Sequence, residues 1–409
     1  MTPPRTSFGP DRLRAAAGRV ARHAVQSLLP TVLGVLVSMT VVRRHGEAAW
    51  GAWVQVTLAL QLGAHVVNWG QREQVMRTLA RDDAPLGPTF RAHLGARARW
   101  LLPLVAVVVG GFGAATGWPL WLVGGGAVWL ALRAVSLAFE PVVLHEQRFL
   151  RAAAVDALAT LAMLGGVVGL GDASRATLIA LACIGEAIRA AGLLGLFPEV
   201  RAGTSAPSGR NDDALLLRAG LPFFLLGATG MLGSRADLYC VSAMLDGAAV
   251  ARYAVLINML LWLQSIAGLL LLPFVRRIYR MEQDALLRLT MRFGALGLGV
   301  GLVGSLGVGA LLRYGYAMPF DARTFAVAVV FVAQMFVQTP AIYALYKAGR
   351  EGRVLRAATA GVVANVLGNL TLLPLLGVLG ALLSSTLVGC ALAAYYAHQA
   401  RGLALQTPR

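Results

Sequence analysis

The sequence consists of apolar runs of about 20 residues, separated by short polar segments. A helix of ~20 residues rises 1.5 Å per residue and therefore crosses the ~30 Å hydrocarbon core of a bilayer. Twelve such runs predict an all-α polytopic membrane protein with about twelve transmembrane helices. The predicted spans are Ala24–Val42, Trp50–Trp69, Trp100–Gly117, Leu120–Glu140, Val155–Leu170, Thr177–Phe197, Leu216–Val241, Ala251–Phe274, Phe293–Leu312, Phe325–Tyr343, Leu355–Leu375 and Val378–Tyr396.

The composition excludes a soluble enzyme. Only 13% of residues are charged, 57% are hydrophobic and the mean hydropathy is +0.68, whereas about a quarter of a soluble domain is charged. The net charge of +17 would suit nucleic acid only if it formed one basic face on a soluble module. Here the arginines form short clusters between apolar runs, which is typical of a cytoplasmic membrane face, and no nucleic-acid partner is predicted.

The distribution of basic residues predicts the orientation. With the amino terminus inside, and with Arg218, Arg252 and Arg356 at span ends counted with the adjoining loops, 27 of the 36 Lys and Arg residues fall in cytoplasmic segments, 6 fall in outer loops and 3 lie within spans. This bias predicts a multi-pass membrane protein with both termini cytoplasmic. We expect a monomer.

The chain also shows the layout of a duplication. Residues 200–213 have linker composition, which predicts a six-helix lobe at 1–199 and a second at 214–409. The first span of each half has an early proline, Pro30 and Pro222, and the second span exits into a basic segment. Parallel six-helix halves are common among transporters.

Charged residues within the apolar runs are the candidate functional groups. An ionised group in the bilayer is costly, so it normally faces a protein interior or a water-filled cavity. Glu186 and Arg189 are three positions apart on one helix face, where they can partly neutralise each other. Structural pairing or snorkelling is the alternative for each of these groups. The set comprises Arg133, Arg189 and Arg235 with the carboxylates Glu140, Asp156, Glu186 and Asp237.

The prominence of arginine favours an anionic substrate. The planar guanidinium makes paired, charge-assisted hydrogen bonds to phosphate, whereas carboxylates would dominate a cavity for organic cations. The six histidines and three cysteines show no metal-ligand spacing, so no metal site, cofactor or catalytic residue is predicted.

Three segments resemble the polysaccharide-biosynthesis flippases (Wzx-type) of the multidrug/oligosaccharidyl-lipid/polysaccharide exporter superfamily. They are AAWGAWVQVTLALQLGAHVVNWGQREQVMRTLAR, SRADLYCVSAMLDGAAVARYAVLINML and KAGREGRVLRAATAGVVANVLGNLTLLPLLGVLGALLSSTLVG. The order and spacing of these segments, more than any one motif, establish the resemblance.

The resemblance implies two six-helix lobes around a central cavity and alternating access of a polyprenyl-diphosphate-linked oligosaccharide. Arg72 and Asp237 match charged positions of the family pattern. By analogy, Arg133 and Arg189 are assigned to the diphosphate, with Arg235 and Arg72 as further cavity arginines. Glu186, Asp237 and Asp156 are the candidate coupling or pairing carboxylates, with H⁺ or Na⁺ as the coupling ion and membrane lipids as further partners.

Two alternatives remain open. An ion-coupled multidrug exporter would have the same superfamily fold. A membrane-embedded glycan polymerase or ligase would need polar catalytic groups on a sizeable loop, but the outer loops are short and the sequence contains no evident nucleophile–base pair. The sequence therefore predicts a transporter that is not an enzyme.

Overall fold

The computed structural model describes residues 29–81, 85–115, 117–201, 210–271, 278–279 and 281–404, and the regular elements in this part of the chain are all helices. Fourteen helices are numbered here in chain order. They are α1 (29–45), α2 (Glu47–Asn68), α3 (Gln71–Arg81), α4 (Leu86–Ala115), α5 (Leu120–Ala138), α6 (Glu140–Glu146), α7 (Phe149–Leu170), α8 (Arg175–Leu196), α9 (Arg210–Met244), α10 (Gly247–Leu271), α11 (Gln283–Ala310), α12 (Ala322–Lys347), α13 (Glu351–Leu376) and α14 (Val378–Ala404). A single turn at Pro198–Arg201 follows α8, and a π-helical segment at Leu311–Tyr316 ends α11.

The helix lengths confirm the predicted all-α, multi-pass class. Within the described residues, ten helices are long and apolar enough to cross a membrane. The predicted span at Trp50–Trp69 falls on α2, which is 22 residues long. The first part of the predicted span at Ala24–Val42 lies outside the described residues, and its remainder lies in α1. Several helices are longer than the predicted spans, because polar residues extend them at one end, as at the start of α4 and of α11.

The chain divides into two compact units. Unit 1 contains residues 1–41 and 59–226, and unit 2 contains residues 42–58 and 227–409. This division follows helix packing and does not coincide with the predicted linker at 200–213, much of which lies outside the described residues. The predicted six-plus-six duplication stays a prediction.

Unit 1 is built on packing of α5 and α7 against α8, with α4 against α5. Small residues allow these helices to approach closely. A Cβ atom added to Gly192 would lie 2.7 Å from the Val155 side chain, and one added to Gly185 would lie 3.3 Å from the Ala159 carbonyl oxygen. At one end, the rings of Phe90, Phe139 and Phe197 form an aromatic core.

Unit 2 is built on packing of α12 against α11 and α14, and of α14 against α13. The G-x-G-x-x-G at Gly299–Gly304 lies within α11. A Cβ atom added to Gly301 would lie 2.6 Å from the Val329 carbonyl oxygen, and one added to Gly304 would lie 2.6 Å from the Leu263 side chain. These glycines therefore serve helix packing and not nucleotide binding.

The sequence analysis predicts neither of the short helices α3 and α6. It predicts only a basic exit from the second span over Gln71–Arg81, whereas this segment forms the amphipathic helix α3. Two apolar residues of that helix, Val75 and Leu79, are buried, at 1% and 6% exposure. Because its apolar face is only a few residues long, its hydropathy resembles that of a loop.

Candidate functional site

Four charged residues within the spans of unit 1 form one ion-pair network. The Nη1 atom of Arg133 on α5 lies 3.0 Å from Glu186 Oε1 on α8. Arg189, one turn further along α8, donates from Nη1 to the same Glu186 oxygen at 2.8 Å. Its Nε atom donates to Asp156 Oδ1 on α7 at 2.6 Å. The predicted approach of Glu186 and Arg189 is therefore present, and two residues from neighbouring helices complete the network.

The network is balanced in charge and partly open. Two guanidinium groups face two carboxylates, so the formal charges cancel. Glu186 is the most enclosed, with its side chain 8% exposed, whereas the side chain of Arg133 is 29% exposed. Glu186 Oε2 is buried and meets no hydrogen-bond partner within the described part of the chain. The Arg133 guanidinium is therefore the accessible end of the network.

Further charges surround this network. Glu140 lies within electrostatic range of Arg133, Arg72, Glu73 and Asp156. Arg72, predicted as a cavity arginine, thus belongs to the same charged region of unit 1. Together with Glu186 and Arg189 of the ion-pair network, the region contains three arginines and four carboxylates. They are Arg72, Arg133 and Arg189, with Glu73, Glu140, Asp156 and Glu186. The region therefore has no excess of positive charge when every group is ionised.

Unit 2 holds a separate polar network around Asp237. This carboxylate on α9 is 4% exposed and accepts hydrogen bonds from the Tyr253 hydroxyl and, at 2.8 Å, from the Ser385 hydroxyl. The backbone N–H of Leu238 also donates to it at 2.7 Å. Arg235 lies within electrostatic range of Asp237 and hydrogen-bonds Asn258 on α10. Asp237 is thus held mainly by neutral donors.

The Asp237 network continues into α13 and α14. Asn365 Nδ2 donates to Ser385 Oγ at 3.0 Å, and Ser384 Oγ donates to the Asn365 carbonyl at 3.1 Å. Asn369 donates to Asn365, while its own Oδ1 is buried without a partner among the described residues. The close approach of the helices depends on Gly368, since a Cβ atom there would lie 2.3 Å from Ser384 Oγ.

The sequence analysis missed Tyr253, Ser385, Asn365 and Asn369 as functional candidates. Their signal was weak because uncharged polar residues are common in membrane helices, where they hydrogen-bond neighbouring helices. Asn365 and Asn369 are nevertheless four positions apart on one face of an apolar helix, and that spacing was available in the sequence.

The predicted site residues therefore fall into two groups. Arg72, Arg133, Asp156, Glu186 and Arg189 meet in unit 1, and Arg235 and Asp237 meet in unit 2.

Unit 2 also carries a groove between α13 and α14, with a volume of about 680 Å³. Arg353 and Arg356 lie at one end, and the small residues Ala360 and Ala364 follow along α13, while Tyr395 lines the groove from α14. Arg353 Nη1 donates to Gln399 Oε1 at 2.6 Å. The groove thus combines a basic end with an apolar length.

No protein-family model and no curated protein sequence matches the chain. Its fold, however, matches solved membrane transporters. The lipid II flippase MurJ in an inward closed conformation gives a TM-score of 0.63 at 10% identity, over 93% of this chain and 87% of that one. An inward-facing multidrug resistance MATE family transporter of the MOP superfamily gives 0.58 at 14% identity, over 95% of this chain and 98% of that one.

A third match is a MOP superfamily transporter from Pyrococcus furiosus, with a TM-score of 0.53 at 13% identity over 94% of each chain. At these identities the similarity shows the fold. The chain has a MOP-type transporter fold, and its structural neighbours are transporters and not enzymes.

Proposed function

We propose that the protein is a flippase that moves polyprenyl-diphosphate-linked oligosaccharides across the bacterial cytoplasmic membrane by alternating access. The product would serve surface polysaccharide biosynthesis. The MOP-type fold supports a transporter, and one of the structural neighbours is a lipid II flippase.

The observation behind this proposal is the accessible arginine network of unit 1. A diphosphate cannot cross hydrocarbon unaided, because its charges lose their hydration. Arg133 and Arg189 offer two planar, charge-assisted donor groups within neighbouring spans. Arg72 adds a third positive charge to the same region, while Arg235 is the cavity arginine proposed for unit 2.

Glu186 and Asp156 give these arginines a resting partner. An arginine left unpaired in a low-dielectric region would be costly. We therefore infer an exchange in which the diphosphate oxygens replace the carboxylate oxygens on Arg133 and Arg189. The carboxylates freed in this step would be solvated by water that enters the cavity with the substrate. Release of the substrate on the outer side would restore the internal ion pairs, and the empty carrier would then return without an unpaired charge.

Asp237 is the coupling carboxylate of the proposal. It is buried in unit 2, where the hydroxyls of Tyr253 and Ser385 donate hydrogen bonds to it and Asn365 donates in turn to Ser385. Burial disfavours an ionised carboxylate, so uptake of a proton or a small cation would neutralise a costly buried charge. Either H⁺ or Na⁺ is compatible with this donor set.

The groove of unit 2 also suits an amphiphile. An anionic group would meet Arg353 and Arg356, and a hydrocarbon chain would follow the apolar wall formed by Ala360, Ala364 and Tyr395.

The proposal is tested by glycan export in a deletion strain. We expect surface glycan to be lost and lipid-linked repeat units to accumulate inside, with rescue by wild type but not by the double variant Arg133→Gln/Arg189→Gln. Arg175→Gln is the matched control, because Arg175 is an exposed arginine at the start of the same helix as Arg189. Rescue by the double variant at normal abundance would refute the arginine site.

A second candidate is an ion-coupled exporter of cationic drugs. The observation that favours it is the excess of carboxylates over arginines around Glu140, because carboxylates would attract an organic cation. Under this alternative, expression would confer resistance to cationic compounds, and Glu186→Gln or Asp237→Asn would abolish that resistance. If the purified protein formed product in the presence of an acceptor, that result would instead indicate a membrane-embedded polymerase or ligase.

A further inference from the structure

Unit 1 contains a buried arginine that has no carboxylate partner within the described residues. Arg97 on α4 is 3% exposed. Its Nε atom donates to the His93 carbonyl of its own helix at 3.2 Å. Its Nη1 and Nη2 atoms are buried and meet no hydrogen-bond acceptor in the described part of the chain. A buried cation in this state is costly unless another group compensates for it.

The unpaired end of Arg97 lies at a small cavity. The cavity has a volume of about 10 Å³, and its polar lining consists of Asn68, Gln71, Gln74, His93 and Arg97. Gln71 is 1% exposed, and neither its side-chain oxygen nor its nitrogen has a partner among the described residues. Gln74 is already engaged, since its Nε2 atom donates to the Leu216 carbonyl at 2.9 Å.

We propose that this cavity binds one monatomic anion, chloride in the cell. The Nη1 and Nη2 groups of Arg97 and the Nε2 group of Gln71 are its donors. Asn68 Oδ1 also meets no partner within the described ranges, and reversal of its amide, whose two ends are assigned from hydrogen bonding, would supply a further donor. The ion neutralises Arg97, which is the compensation that a buried guanidinium requires.

The size of the cavity determines the class of anion. A volume of about 10–15 Å³ corresponds to one water-sized sphere. Chloride is slightly larger, and the flexible ends of Gln71 and Arg97 can move apart to accept it. Phosphate, sulfate or a carboxylate-bearing molecule would not fit without displacement of the surrounding helices.

The position of the site predicts a structural role. Gln71 begins α3, Arg97 lies on α4, and Leu216 and Leu217 line the cavity from α9. Trp69 Nε1 also donates to the Leu217 carbonyl at 2.7 Å. An anion bound here joins three helices of unit 1, independently of the transported substrate.

The first test is the thermal unfolding of the purified full chain in detergent, with chloride exchanged for gluconate at constant ionic strength. At a chloride concentration about 100-fold above the apparent Kd, we expect the midpoint to rise by on the order of 3 °C in a chain of 409 residues. Arg97→Met should lose this dependence. Arg77→Met is the matched control, because Arg77 is an exposed arginine on α3 and should leave the dependence intact.

A second variant keeps the test decisive if Arg97→Met does not fold. Gln71→Glu places a carboxylate beside Arg97, so it should fold and become insensitive to chloride. Crystals grown in bromide should show anomalous scattering next to the Arg97 Nη atoms in wild type and none in Gln71→Glu. An ordered water at that position, together with a chloride-independent midpoint in wild type, would overturn the proposal.

Discussion

Arg189 Nε lies 2.6 Å from Asp156 Oδ1, although the two residues are 33 positions apart and belong to different helices. The same guanidinium also donates to Glu186 on its own helix at 2.8 Å. One arginine thus joins α7 and α8 and compensates two carboxylates in the membrane-spanning part of unit 1. Its removal would leave Asp156 without an ion-pair partner in the network.

We therefore expect Arg189→Gln to destabilise the protein by about 3 kcal/mol, at the lower end for a broken buried ion pair because the side chain is 18% exposed. The measurement is the free energy of unfolding in detergent. Combining this change with Asp156→Asn should recover part of the loss, since the unpaired carboxylate is then removed. If Arg189→Gln is no less stable than Arg175→Gln, the network does not contribute to stability.

The close approach of Gly51 on α2 to Gly247 on α10 leads to a second prediction. A Cβ atom added to Gly51 would lie 1.6 Å from the Gly247 carbonyl oxygen. Because backbone atoms would have to move, Gly51→Ala should destabilise unit 2 by about 3 kcal/mol.

The control for this glycine is Gly34 in α1, where a Cβ atom would have no neighbour within 4 Å among the residues that the structure describes. Gly34→Ala should be neutral or stabilising by up to about 1 kcal/mol, because alanine favours the helix. Equal unfolding midpoints for the two variants would contradict the steric account.

The comparison of sequence and structure separates local from long-range information. Hydropathy was sufficient for the membrane helices, and the spacing of Glu186 and Arg189 was sufficient for their contact, because both depend on one helix. The partner of Arg189 on α7 and the partners of Asp237 on α13 and α14 depend on how separate helices pack. Arg97 was missed for a related reason, since the sequence places it in a basic loop and only the packing of α3, α4 and α9 buries it.

The amino-terminal cap of α12 supplies a pH-dependent prediction. The side chain of Asp321 accepts a hydrogen bond from the Thr324 N–H at 2.7 Å. Hydrogen bonds from Thr324 lower the pKa of Asp321 below its usual value of 3.8. Because the pKa is lowered in the folded state, the ionised Asp321 cap stabilises the folded protein above the unfolded-state pKa. This stabilisation is lost as the pH falls through the folded-state pKa.

Accordingly, Asp321→Ala should cost about 1 kcal/mol at neutral pH, as expected for a lost cap. The difference from wild type should shrink as the pH falls below about 3.8. Asp321→Asn is the matched control, since asparagine caps a helix about as well as aspartate and its amide does not ionise in this range. A pH-independent difference for Asp321→Ala would exclude a contribution of the carboxylate charge.

The role of Asp237 in coupling leads to the last prediction. Asn at this position keeps the shape and one acceptor oxygen for Tyr253 and Ser385, but it cannot bind a proton or contribute a full negative charge to a cation. We expect Asp237→Asn to fold with a near-normal unfolding midpoint. In proteoliposomes, its flipping of a polyprenyl-diphosphate-linked oligosaccharide should no longer respond to an imposed proton or sodium gradient, applied in separate arms to identify the ion.

Tyr253→Phe is the control for that experiment, because it removes one hydrogen bond to Asp237 and leaves the carboxylate in place. This variant should still respond to the gradient that drives wild type, even if its flipping rate is lower. A gradient response that survives Asp237→Asn would show that coupling resides elsewhere, and Glu186 and Asp156 would then be the carboxylates to test. Loss of the response in both variants, with normal folding, would mean that the hydrogen-bonded network, and not the carboxylate charge alone, is required for coupling.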